Sequence, residues 1–424
     1  MRSREYPLCG HRVIRARLAN GLTVLIVPKP GTYRKFAGFA VHYGGTDIRF
    51  RLGGESTETP AGIAHFLVHT LFEMPEGSAL GKLSGNGIRV NAFTSPFETM
   101  FHISCVDGFE TALEDLLRFV MTPYFPGNTV ERERKVILQE IAMRKDDPVR
   151  AAHTGLLECL YPRHPVHIPV LGTAESIGEI TPELLEACHR AFYRMRNMVL
   201  CVVGDVDPET VVKIAADTLG DTGDDVPESE YGPADPYEPQ EPRTALEMDV
   251  SQPVFRLGAR IRPEGDDLLR QELTAKLALS VLLGSASGLY ADCYEGGLID
   301  RGFTWSYTGW GGVSYWTAGG KSKSPAAYCA RLGQAAEDMA AWGIDRELLS
   351  RQKRALYGAL LRQTDDAEQL CRDLCAGYFR ECDPLEAFTL LDGISPDEIQ
   401  KWIGENAQAK RLAISTVNNS RESR

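Results

Sequence analysis

From residue 12 to residue 28 the chain alternates apolar and polar positions around one dipeptide. Val13, Ile14, Ala16 and Leu18 precede Asn20-Gly21, and Leu22 to Val27 follow it. A period of two places successive side chains on opposite faces, and Asn-Gly accepts the positive φ of a tight turn, so the pattern predicts a β-hairpin. The apolar run Phe36 to Tyr43, closed by Gly44-Gly45, predicts a third strand. The spacing then changes. Ile63, Phe66, Leu67, Leu71 and Phe72 recur every three or four residues behind Pro60 and Gly62, which predicts a helix with one buried face. A short helix near 79–84, strands at 88–94 and 99–105, and amphipathic helices at 109–121, 130–144, 151–160 and 182–193 come next. The β-branched run Met198 to Val203 predicts a buried strand, with a helix after it.

Residues 221–243 lose both periods. Prolines and acids with almost no apolar residues cannot form a core, so this stretch reads as an extended acidic linker between residues 1–220 and 244–424. Beyond it the order resumes: strands at 245–250 and 254–261, a long helix at 268–283, a helix ending at Gly297, strands at 303–308 and 313–317, helices from 325 to 403, and a closing strand at 411–417. The order of elements in the second part matches that in the first.

Composition narrows the function more than the fold. A chain of 424 residues is expected to build more than one core. No apolar run is long enough to span a bilayer, and Met1 to Pro7 has basic residues without an apolar stretch behind them, so neither a membrane span nor a secretory signal is expected and the location predicted is cytoplasmic. Lysine and arginine number 46 against 58 acids, a net charge of −12 with no basic stripe, which argues against nucleic acid as a partner. The ten cysteines form no CxxC pair and read as reduced, mostly buried thiols. Cys371 and Cys375 share a helix face, and their expected role is packing.

The sharpest chemical signal is His65 and His69 on the apolar helix. Four residues separate them, so on a helix they lie about 40° apart and direct both imidazoles to one place, as metal ligands do. A catalytic zinc takes three protein ligands, so a third must come from elsewhere. Glu133 and Glu140, two turns apart on one face of a downstream helix, are the carboxylate candidates. Taken alone, a pair of histidines at this spacing is also what chance produces.

The two stretches together, His65-Phe-Leu-Val-His69 and then Glu131-Arg-Glu-Arg-Lys-Val-Ile-Leu-Gln-Glu140 roughly seventy residues later, resemble the pitrilysin/insulinase zinc peptidases, the inverzincins. The likeness is to small bacterial subunits similar to mitochondrial processing peptidase. It implies zinc as the cofactor, with His65, His69 and Glu140 as ligands and Glu133 as a supporting carboxylate. The residue before the second histidine is, in that family, the glutamate that takes a proton from zinc-bound water; here it is Val68. General-base assistance is worth roughly 10²–10⁴-fold, so the resemblance implies a site that holds metal but hydrolyses poorly.

The same resemblance implies an α+β fold of two related halves, each a mainly antiparallel sheet covered by helices, around a central cleft. It casts Asn91, Ala92, Phe93 and Thr94 as a strand edge that pairs with an extended or unfolded peptide. An arginine and a tyrosine that grip the scissile carbonyl in many small members align with Cys293 and Asp300, so that pair is absent. Arg301 and Tyr307 lie nearby in a different register, and His164 and His167 sit in a proline-bounded loop where a structural role is expected. The expected function is thus a catalytically impaired zinc-metallopeptidase subunit, a homodimer or a heterodimer with a related chain. The alternatives are an active zinc endopeptidase using another carboxylate such as Glu73 as base, and a metal-free scaffold subunit.

Overall fold

The computed structural model describes residues 1–263, 265 and 267–420. They gather into two compact units, each built from separate stretches of chain. The first takes Met1–Ile141, Ile168–Gly232 and Leu361–Leu385; the second takes Ala142–His167, Pro233–Leu360 and the residues from Glu386 onward.

The first unit is organised on a seven-stranded sheet. Its order across the sheet is Arg2–Tyr6, His11–Arg17, Thr23–Pro28, Met198–Gly204, Lys35–Val41, Thr99–Cys105 and Arg89–Thr94. The predicted hairpin is present, with Ile14 opposite Ile26 and Gly21 at a φ of 92°. Met198–Gly204 lies in the middle, parallel to Thr23–Pro28 and antiparallel to Lys35–Val41, and all of its residues are buried. An uninterrupted apolar run needs a cover on both faces, and both are supplied. On one face Leu200 and Val202 join Phe66, Leu67, Leu116 and Leu117 in a continuous core. Over the other lies the helix Ala367–Phe379, packed on Met198–Gly204 and Lys35–Val41.

Two features depart from the sequence pattern. Arg2–Tyr6, which carries no hydrophobic period, forms an exposed edge strand paired with His11–Arg17. Backbone bonds hold it, and these leave no trace in side-chain polarity. The polar connection before the histidines folds into a hairpin, Arg49–Leu52 with Glu55–Glu58, turning at Gly53-Gly54. Glu228–Ser229 adds to its edge, and the hydroxyls of Ser229 and Tyr231 donate to the buried carboxylate of Asp47.

The second unit holds a five-stranded sheet, ordered Arg243–Met248, Ala413–Asn419, Val254–Arg260, Val313–Lys321 and Thr304–Trp310. Pro148–Leu160 packs on its Ala413–Asn419 and Val254–Arg260 strands, and Leu268–Leu283 on Thr304–Trp310. The expected α+β class, with mainly antiparallel sheets covered by helices, is therefore observed. One parallel pair in each sheet is the exception. Among the described residues no single helix is long and apolar enough to cross a membrane.

Candidate metal centre

The histidine helix runs Ile63–Leu71, and its apolar residues are fixed in the core of the first unit. Gly62 starts it in the left-handed region at φ 91°, where a Cβ would lie 2.5 Å from the carbonyl oxygen of Leu171. Only glycine lets the chain enter at that point. With the helix so pinned, His65 and His69 stand partly exposed on one side, their rings edge to face at 4.7 Å.

The helix Gly127–Lys145 supplies both predicted carboxylates. Glu140 Oε2 lies 3.2 Å from His65 Nε2 and 3.9 Å from His69 Nε2. One donor atom from each of the three falls within 4.8 Å of the others. Ligands on tetrahedral zinc, with bonds near 2.0–2.2 Å, stand roughly 3.4 Å apart, so these separations fit the ion with only small movements. Two neutral imidazoles and a carboxylate are also the donor set that zinc prefers.

Glu133 does something different on the same helix. Its Oε2 lies 3.3 Å from Nδ1 of His69, the ring nitrogen turned away from Glu140. Nδ1–H donating to Glu133 leaves the Nε2 lone pair for a metal, the usual way a carboxylate orients a ligating histidine. Arg132 continues the chain of contacts, 3.1 Å from Glu133 Oε1 and 2.8 Å from Glu73 Oε1. In the sequence Arg132 has no signal of its own beyond standing next to Glu133.

Val68 stands between the histidines in sequence but turns to the core, 6% exposed and part of the same apolar cluster. Four positions after His69, Glu73 would lie one turn further along a continuing helix, but the helix does not reach it. The helix ends at Leu71, Glu73 begins a short strand, and its carboxylate accepts from Arg132. Asn91 to Thr94 belong to Arg89–Thr94 at the end of the large sheet, beside the histidine helix. That strand pairs with Thr99–Cys105, and its other edge pairs with no strand among the described residues.

The remaining candidates are accounted for within the second unit. His167 Nδ1 lies 2.9 Å from the carbonyl oxygens of Tyr161 and His164, and burial lowers the His164 pKa to about 4. Arg301 donates to the Tyr294 hydroxyl, the Tyr307 hydroxyl accepts from Ser314, Cys293 is buried, and the Asp300 carboxylate caps the backbone of Gly302.

Comparison with known proteins identifies the family. Residues 53–174 match the insulinase family model, peptidase family M16, and residues 179–356 match the M16 inactive domain. The chain is 33% identical to an uncharacterized zinc protease of Bacillus subtilis, YmfH, over 97% of its own length and 98% of that protein's. Among solved structures, an M16-like peptidase from Alicyclobacillus acidocaldarius superposes with a TM-score of 0.92 at 29% identity, covering 97% of this chain and 99% of that one. A Helicobacter pylori protease shares the fold at 16% identity, with a TM-score of 0.84 over 96% of this chain and 99% of that one.

Proposed function

Since the chain belongs to the insulinase family of peptidases, M16, we propose that it is a subunit that holds zinc and an extended peptide, hydrolyses poorly, and works beside a related partner. The observation that carries this reading is Val68, an apolar side chain packed in the core where the resemblance calls for a proton acceptor. His65, His69 and Glu140 are the ligands. Zinc held there would supply a Lewis acid for a peptide carbonyl and lower the pKa of water.

The rest falls to this chain's own groups. Glu133 orients His69, and Arg132 holds Glu133 against it. The open edge of Arg89–Thr94 offers N–H and C=O groups to a peptide backbone, which binds any sequence and leaves selection to neighbouring side chains. The position before His69 supplies no proton acceptor, since valine has no basic atom, and the Glu73 carboxylate is engaged by Arg132. With the arginine–tyrosine pair replaced by Cys293 and Asp300, a carbonyl grip has to come from a second, related chain.

The test is the reverse substitution. Val68→Glu, purified with zinc and assayed on an unfolded peptide with and without a related subunit, is expected to raise hydrolysis by about 10²–10⁴-fold. Metal analysis alongside is expected to find zinc in the wild type and to lose it in His65→Ala. Zinc present without any gain in rate would sink the missing-base reading, and a wild type unable to hold zinc would sink the ligand assignment.

A further inference from the structure

A second cluster of metal-ligating side chains lies in the first unit, under the helix Ala367–Phe379. Cys371 and Cys375, one helical turn apart on that helix, meet Cys201 from the central strand Met198–Gly204. All three are fully buried, and their sulfurs lie within 4.8 Å of one another. The Cys371 thiol also reaches the carbonyl of Cys201, at 3.5 Å.

The sheet leaves room for them. Gly38 is the residue opposite Cys201 on the neighbouring strand. A Cβ at Gly38 would lie 2.8 Å from the Cys371 sulfur and 3.0 Å from the Met100 sulfur. A glycine inside a central strand marks a place where something approaches the backbone closely, and here it is sulfur from two directions.

We propose that Cys201, Cys371 and Cys375, with Met100 beside them, form a buried binding site for a soft monovalent metal cation, Cu(I). Three sulfurs no more than 4.8 Å apart share a point within about 2.8 Å of each, close to the roughly 2.3 Å of a metal–thiolate bond. Structural zinc demands a fourth strong ligand, a cysteine or a histidine. Among the described residues no histidine or carboxylate offers a donor atom within the same 4.8 Å, His102 across Gly38 included, while the Met100 thioether borders the site at Gly38, and a thioether with thiolates selects Cu(I). Charge points the same way. One Cu(I) replacing one proton leaves the site neutral, whereas a divalent ion would require two thiols to ionise in the dry core.

The experiment uses the full chain carrying His65→Ala and His69→Ala, so that the imidazole pair takes no copper. Cu(I) is added anaerobically to the folded protein and, separately, supplied during expression, with a chromogenic chelator as competitor. One Cu(I) per chain and an ultraviolet thiolate-to-metal band are expected, and Cys201→Ser is expected to weaken binding by more than about 100-fold, beyond the range of a supporting contact. X-ray absorption on the loaded chain, which needs no cysteine variant, should show only sulfur around copper. The proposal is overturned by the absence of copper in both arms, by nitrogen or oxygen neighbours, by affinity unchanged in Cys201→Ser, or by zinc displacing Cu(I) from the thiols.

Discussion

At the scale of single residues, Val68 and Glu98 show how burial decides what a side chain can do. A glutamate restored at position 68 enters a site now 6% exposed and lined by apolar neighbours. Burial disfavours the charged form, so Val68→Glu is expected to lower the melting temperature of the metal-free chain and to recover part of that loss when zinc attracts the carboxylate. Differential scanning with and without zinc measures both. Glu98 is already such a case. It is buried, its Oε2 has no hydrogen-bond partner, and burial raises its pKa from 4.5 to about 8 despite Arg372 and Arg380 nearby. The folded chain therefore keeps a proton that the unfolded chain has lost. Stability from this group is full below pH 4.5 and is lost as the pH rises to about 8. In Glu98→Gln the decline in melting temperature across that window should flatten relative to wild type, and an unchanged slope would contradict the assignment. None of this was legible in the sequence, because Glu98 sits in a polar Ser-Pro-Phe-Glu turn that reads as solvated.

At the scale of elements, two helices bring the candidate ligands together, and the faces they share were legible in the sequence. Four-residue spacing fixed the common face of His65 and His69, and two-turn spacing fixed that of Glu133 and Glu140. What periodicity could not say is that the two glutamates divide the work, one facing both imidazoles and one behind His69. That division depends on the crossing of the helices, which belongs to packing. Arg132 follows from it. Its guanidinium ties Glu133 to Glu73, so Arg132→Ala should free Glu133 to rotate and weaken zinc binding by about 10–100-fold, as loss of an orienting contact does. Chelator competition measures it, and an affinity equal to wild type would show that Glu133 needs no support. The edge strand was equally legible, since its composition and order announce a strand. Its place at the end of a sheet did not follow from its own residues.

At the scale of the whole molecule, the order of elements was readable and their grouping was not. The predicted strands of the two sheets are present, with boundaries shifted by a residue or a few. Nothing in Ala367 to Phe379 says which sheet it covers, because an amphipathic helix fits any apolar face. Cys371 and Cys375 read as packing for the same reason: the third sulfur lies 170 positions before Cys371, beyond the reach of any local pattern. Cys201 itself looks like one more apolar residue in a run of valines.

That late helix has a consequence for how the protein is made. A ribosome adding about 5–20 residues per second releases the central strand roughly ten to forty seconds before the segment that roofs it. During this interval a row of valine and cysteine side chains stands bare, an invitation to chaperones and to neighbouring nascent chains. A truncated gene product stopping at residue 243, which also bares the face that Pro148–Leu160 turns to the second sheet, should for that reason precipitate when expressed alone, and stay in solution when residues 244–424 are supplied in trans. Sedimentation of the two preparations decides it, and a soluble monomer without the added segment would show that the roof is dispensable.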